Sequence, residues 1–190
     1  MKKLLIVFSL LLSMVVSVNC FAEEAKTNVT ESTVKTEEST TSKADCALDI
    51  SDNGKVNNCL VAVHFTQPNC IPDVDDKWFD EVAEIVKERI EAKGLKAKNQ
   101  FDVWEEFINQ PGEEEPAQFN TYATQQNFNG VVNVSVSRYV TKHGVTDVAV
   151  TIEGKHIGEE ASYFTVTNTK SNVQGTERMD VLKECISTIL

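Results

Sequence analysis

The sequence predicts an α+β domain: a two-layer sandwich whose mixed five-stranded sheet, in the order β-α-β-α-α-β-β-β-α, carries its helices on one face. Three observations lead there. The run "CLVAVHFT" at 59–66 is apolar on both faces apart from His64, as an interior strand must be. An amphipathic stretch of helical length follows it. After residue 130, three segments in succession alternate apolar and polar side chains, and one more amphipathic stretch closes the chain.

Taken in order, the first helix spans about 74–93, with Trp78, Phe79, Val82, Ile85, Val86 and Ile90 spaced by three and four. Gly94 supplies a left-handed stop. "LKAKNQF" (95–101) offers the second strand, and Asp102 to Glu105 has the spacing of a capping box opening a short helix through Asn109. Pro116 stands at a first-turn position of another helix, with Phe119, Tyr122 and Ala123 on its apolar side and Asn129-Gly130 as its stop. In the strands that follow, Val132, Val134 and Val136, then Val148, Val150 and Ile152, then Phe164 and Val166, face one way. "TKHG" and "GKHIGEEA" join them as hairpin loops. A last helix, 177–190, buries Leu182, Cys185, Ile186 and Ile189. The first two strands need a crossover and run parallel, while the last three form an antiparallel meander.

The amino terminus carries an address. Lys2 and Lys3 precede an apolar run to Val18, the layout of a secretory signal peptide. That run falls short of the roughly 20 residues of a spanning helix, so no spanning helix is expected in the mature form. Cleavage between Ala22 and Glu23 puts small residues, Ala22 and Cys20, at the last and third-last leader positions. The competing reading makes Cys20 a lipid anchor, but Asn19 fits poorly before a lipidated cysteine. Residues 1–22 are therefore read as signal peptide, and 23–45, rich in Thr, Ser, Glu and Lys, as a disordered spacer. Residues 46–190 form the single domain, and the expected location is periplasmic or secreted, with membrane anchoring as the alternative.

Charge narrows the partners. The chain has 18 basic and 29 acidic residues, and loss of Lys2 and Lys3 brings the net charge to about −13. Phosphate backbones and anionic lipid repel such a surface, so no nucleic acid is expected as a partner.

Beyond Cys20 stand Cys46, Cys59, Cys70 and Cys185, an even number for an oxidising compartment. Cys59 and Cys70 flank a strand some 20 Å long, whereas a disulfide needs Cα atoms within about 7 Å, which disfavours that pair. Cys46–Cys59 across the turn signal Asp52-Asn53-Gly54, together with Cys70–Cys185, is preferred. Cys185 as a plain buried thiol is the competing reading.

A short apolar strand, a long helix ending at "KGL", and a helix running into "ATQQNFNGVVNVSVSRY" give residues 59–153 a layout that resembles the amino-terminal domain of TolB-type periplasmic proteins. Curli-secretion lipoproteins and penicillin-binding-protein activators share that domain style. The resemblance implies a non-catalytic envelope domain that binds other proteins. The chain departs from the pattern in having no propeller after the domain and in its extra cysteines, and the resemblance transfers no functional residue.

Known catalytic spacings such as G-x-S-x-G and H-E-x-x-H do not occur, and no catalytic residue, cofactor or metal is assigned. His64 reads as a satisfied strand histidine. His143 and His156 fall in hairpin loops, where a weak metal pair competes with plain solvation. Asp73, Asp75, Asp76 and Asp80 suit a helix's first turn better than a calcium loop. The polar sheet face (Asn133, Ser135, Ser137, Tyr139, Thr151, Tyr163, Thr165, Thr167) reads as solvated surface, or else as a docking face anchored by Tyr139 and Tyr163. Two functions are carried forward: an exported module that binds an envelope protein, and a small exported hydrolase with an unrecognised site.

Overall fold

The computed structural model of the chain describes residues 48–66, 74–110 and 116–190. The turn that precedes the first strand is held by Asp49, whose carboxylate accepts from the Ser51 hydroxyl at 2.6 Å and from the Asn53 N–H at 2.7 Å. Strand β1 (Asn58–Phe65) follows, then helix α1 (Asp76–Ala92), strand β2 (Lys96–Asn99) and helix α2 (Gln100–Ile108). A 3-10 turn at Pro116–Gln118 leads into helix α3 (Phe119–Gln125). Strands β3 (Gly130–Lys142), β4 (Val145–His156) and β5 (Ser162–Gln174) form the meander, and helix α4 (Arg178–Ile189) ends the order. These residues belong to a compact unit, Asp45–Leu190.

The sheet order is β2-β1-β3-β4-β5. β1 lies parallel to both β2 and β3, with Cys59 opposite Ala97 on one side and Gly130 on the other. β3, β4 and β5 pair antiparallel, as the alternation predicts.

The two long helices cover one face of the sheet. α1 brings Val82, Val86 and Ile90 against Val61, Val132 and Val134; α4 adds Leu182, Cys185, Ile186 and Ile189. Burying such a row of aliphatic side chains, at about 1.5–3 kcal/mol each, is the main driving force for this layer. The short pair α2–α3 does something else. Val103, Phe107, Phe119 and Ala123 gather with Phe128 around Leu60 and Val131. Leu60 and Val131 have the opposite parity to Cys59, Val61 and Val132, so this smaller cluster sits on the other face.

Several boundaries moved for identifiable reasons. α1 stops where expected: Gly94 has φ +83° and its N–H reaches the Glu91 carbonyl at 2.9 Å. α2 starts two residues before Asp102, because the Asn99 side chain accepts from the Phe101 N–H at 3.0 Å and caps it. That cap also cuts β2 short. α3 ends at Gln125 rather than at Asn129-Gly130, with Asn127 taking the left-handed conformation at φ +66°. β5 runs six residues past Asn168 through "TKSNVQ", which has too few apolar residues to read as a strand.

Candidate functional site

The two long helices leave one sheet face to be covered only at its β1 end, by α2 and α3. Along the rest of that face, alternation places His64 on β1, Asn133 and Ser135 on β3, Thr151, Glu153 and Lys155 on β4, and Thr165, Thr167 and Thr169 on β5. The polar groups form a line across the strands. The Asn133 side chain hydrogen-bonds His64, and its Nδ2 donates to Glu153 Oε1 at 3.3 Å. Glu153 also receives Lys155 Nζ at 3.1 Å and the Ser162 hydroxyl at 2.9 Å. Beside it the hydroxyls of Thr151 and Thr167 pair at 2.8 Å.

Electrostatics fix the charge states of that line. Burial pushes the Glu153 carboxyl up, but hydrogen bonds from Ser162, Lys155 and Asn133 and the Lys155 charge outweigh it, so its pKa lies below the usual value. Desolvation dominates at His64 and holds it below its ordinary 6.5, against the smaller opposing pulls of Asn133 and Glu153. At neutral pH the line thus presents an anionic carboxylate and a neutral imidazole joined by an amide.

The expected anchors of this face are elsewhere. Tyr139 is only 7% exposed and belongs to the main core, packed edge-on against Trp78 with the Arg178 guanidinium 4.7 Å from its ring centre. The pairing register of β3 shifts between Val136 and Arg138, and that extra residue turns Tyr139 to the face of the valines. Tyr163 falls at a second register shift, opposite Gly154 and Lys155. Its hydroxyl donates to the Ile50 carbonyl at 2.8 Å, and burial raises its pKa. Tyr139 is thus buried on the helix side of the sheet, and Tyr163 is half-buried with its hydroxyl held by the backbone. Strict alternation could not show this, since a bulge leaves no mark in the hydrophobic pattern.

Cys59 and Cys185 are free thiols, buried in the main core. They are the described halves of the expected Cys46–Cys59 and Cys70–Cys185 bridges. Cys46 and Cys70 lie outside the described residues, as do Cys20, Ala22 and Glu23. His143 and His156 stand at opposite ends of β4 and do not meet. His156 instead bonds Asp52 Oδ2 at 3.0 Å and stacks on Tyr163. Asp75 caps α1, its carboxylate accepting from the Trp78 N–H at 3.0 Å, and Asp80 accepts from Asn99; Asp73 lies outside the described residues. Among the described residues no cluster of His, Cys, Asp and Glu is placed to hold a metal ion, and no helix is long and apolar enough to cross a membrane.

Two features escaped sequence reasoning. Asn129 clamps the start of β1: its Oδ1 accepts from the N–H groups of Asn57 and Asn58, each at 3.1 Å, and its Nδ2 donates to the Lys55 carbonyl at 2.9 Å. The second is apolar. Phe101 and Ile108, 55% and 47% exposed, lie seven residues apart and hence on one side of α2. On the same helix Glu105 lies beside them and Asp102 about a quarter-turn round, while Glu106 is on the far side, paired with Lys98 at 2.5 Å. The apolar spacing was legible there, but its exposure was not.

No model of a known protein family matches the chain, and no curated protein matches its sequence. Solved structures do match its fold. The PelC dodecamer from Paraburkholderia phytofirmans aligns with a TM-score of 0.51 and 19% identity, over 76% of this chain and 88% of that one. A variant of the same protein, also a dodecamer, aligns at 0.50 with 16% identity, over 71% and 85%. The fold is therefore the one PelC adopts. Lipoprotein GNA1162 from Neisseria meningitidis shows a looser likeness, with a TM-score of 0.48 and 16% identity over 70% of this chain and 94% of that one.

Proposed function

We propose that this chain is an exported, non-catalytic module of the bacterial envelope that works by binding another protein. The observation that carries the reading is the α2 surface. Phe101 and Ile108 are the large hydrophobic side chains left exposed among the described residues, and both stand on one helix face. Glu105 stands beside them and Asp102 about a quarter-turn round the helix, so the complementary partner presents an apolar segment bordered by Lys or Arg. The leader sequence and the sequence resemblance to envelope domains support the setting. The fold shared with PelC, whose structures are dodecamers, supports a protein that acts through association. A pull-down from envelope extract with wild type and with Phe101→Ser/Ile108→Ser tests the reading. Loss of a specific band in the double variant, with circular dichroism unchanged, is expected; identical capture by both proteins refutes the surface.

The hydrolase reading has one observation to draw on, the hydrogen-bonded line from His64 through Asn133 to Glu153, in which a neutral imidazole could accept a proton. Turnover of ester or amide probes that disappears in His64→Gln would favour it over the binding module.

A further inference from the structure

We infer that β5 is an interaction edge that pairs with β5 of a second copy of this chain, joining two sheets into one. β5 ends the sheet order, so among the described residues it has a strand on one side only. The two edges of the sheet are built differently. β2 is four residues long and carries Lys96 and Lys98, the short and charged pattern that keeps strands apart. β5 is thirteen residues long, spans about 40 Å, and contains no proline. In a chain with 25% charged residues it has a single charged side chain, Lys170, and that one is paired with Glu184 of α4.

Its middle is regular. Register shifts interrupt the pairing with β4 opposite Val173 and Ser162, which leaves Phe164 through Lys170 as an unbroken ladder with Thr167 at its centre. Antiparallel pairing of two copies about Thr167 sets Thr165 across from Thr169 and Phe164 across from Lys170. No lysine then faces a lysine, and the threonines repeat across the twofold the hydroxyl pairing that Thr167 already makes with Thr151. Head-to-tail pairing of β5 with a neighbour's β2 would instead meet the lysine-guarded edge. The partner that this edge fits is therefore another β5, and the contact is isologous.

Sedimentation velocity on the exported full chain should give the mass of two chains, or an even multiple. Thr165→Lys/Thr167→Lys/Thr169→Lys, three exposed positions, should halve that mass with the circular dichroism unchanged. A nitroxide on Thr167→Cys should report a label-to-label distance under about 20 Å, given strands about 4.8 Å apart. A wild-type monomer, an assembly that the lysines leave intact, or labels farther apart than this would each overturn the inference. The last two outcomes would place the contact elsewhere, on another face or against this chain's own amino-terminal residues.

Discussion

At Gly154 the backbone of β4 lies directly beneath two aromatic rings. A Cβ built there would stand 2.2 Å from Phe164 Cε1 and 2.7 Å from Tyr163 Cζ, well inside contact distance. Gly154→Ala should therefore destabilise by about 1–3 kcal/mol through overpacking, read as a lowered urea midpoint. An unchanged midpoint would mean the rings move aside freely. The thiols give a second test at this scale. Burial pushes the Cys59 thiol up to about 11, and Cys185 is raised for the same reason. Both should resist an aromatic disulfide reagent at pH 8 in the native protein and react once it is denatured without reductant. A denatured, unreduced chain that yields no thiols would instead establish two bridges. The sequence made the burial of Cys185 legible from its helical spacing. The burial of Tyr139 was illegible, because one extra residue in β3 reverses which side a tyrosine takes.

Caps decide where the elements begin and end. The Asp75 carboxylate supplies an acceptor to α1 that the helix cannot provide for itself. Asp75→Ala should cost about 1 kcal/mol, and Asp75→Ser, which keeps an acceptor, much less. Equal losses in urea titrations of the two variants would make the acid's charge, not its hydrogen bond, the effective feature. α1 was readable in outline because its apolar stripe is long and Gly94 marks its end. β5 was readable only to Asn168, since Lys170, Ser171 and Asn172 are polar and the strand is held there by pairing with β4. α2 and α3 were visible as helices, but not the face they would cover. Residue periodicity says that a side is apolar, not which side of a sheet receives it.

Over the whole molecule the anionic surface sets the response to acid. Asp49 is held below its ordinary 3.8 by the Ser51 hydroxyl and the Asn53 N–H, Asp52 by Lys55 and His156, and Glu153 lies below its ordinary 4.5. A carboxyl whose folded pKa is depressed adds stability that is complete above its unfolded value and is lost as pH falls through the folded one. His64 acts in the same sense by another route. Its folded pKa is also lowered, so the unfolded chain takes up a proton first as pH drops below 6.5. Urea midpoints should thus be flat above neutrality, fall gently below pH 6.5, and fall more steeply below about 4.5. His64→Gln should remove the gentle part alone; a midpoint rising on acidification would contradict both assignments. The α+β architecture and the mixed sheet were legible from alternation and periodicity, while the polar line across four strands depends on register, which no single strand encodes.

The two hydrophobic clusters lie on opposite faces, and each holds one of the chain's two tryptophans. Trp78 is enclosed by Phe65, Phe79 and Tyr139, whereas Trp104, half-buried, leans on Phe107 and Phe119. The molecule thereby carries a built-in emission probe for each side of its sheet, the first blue-shifted and the second redder. In Trp104→Phe the remaining signal follows the main core, and in Trp78→Phe it follows the small one. With fewer buried neighbours, the Trp104 signal should be lost at lower urea than the Trp78 signal. Superimposed curves would show instead that the α2–α3 side melts as one with the rest.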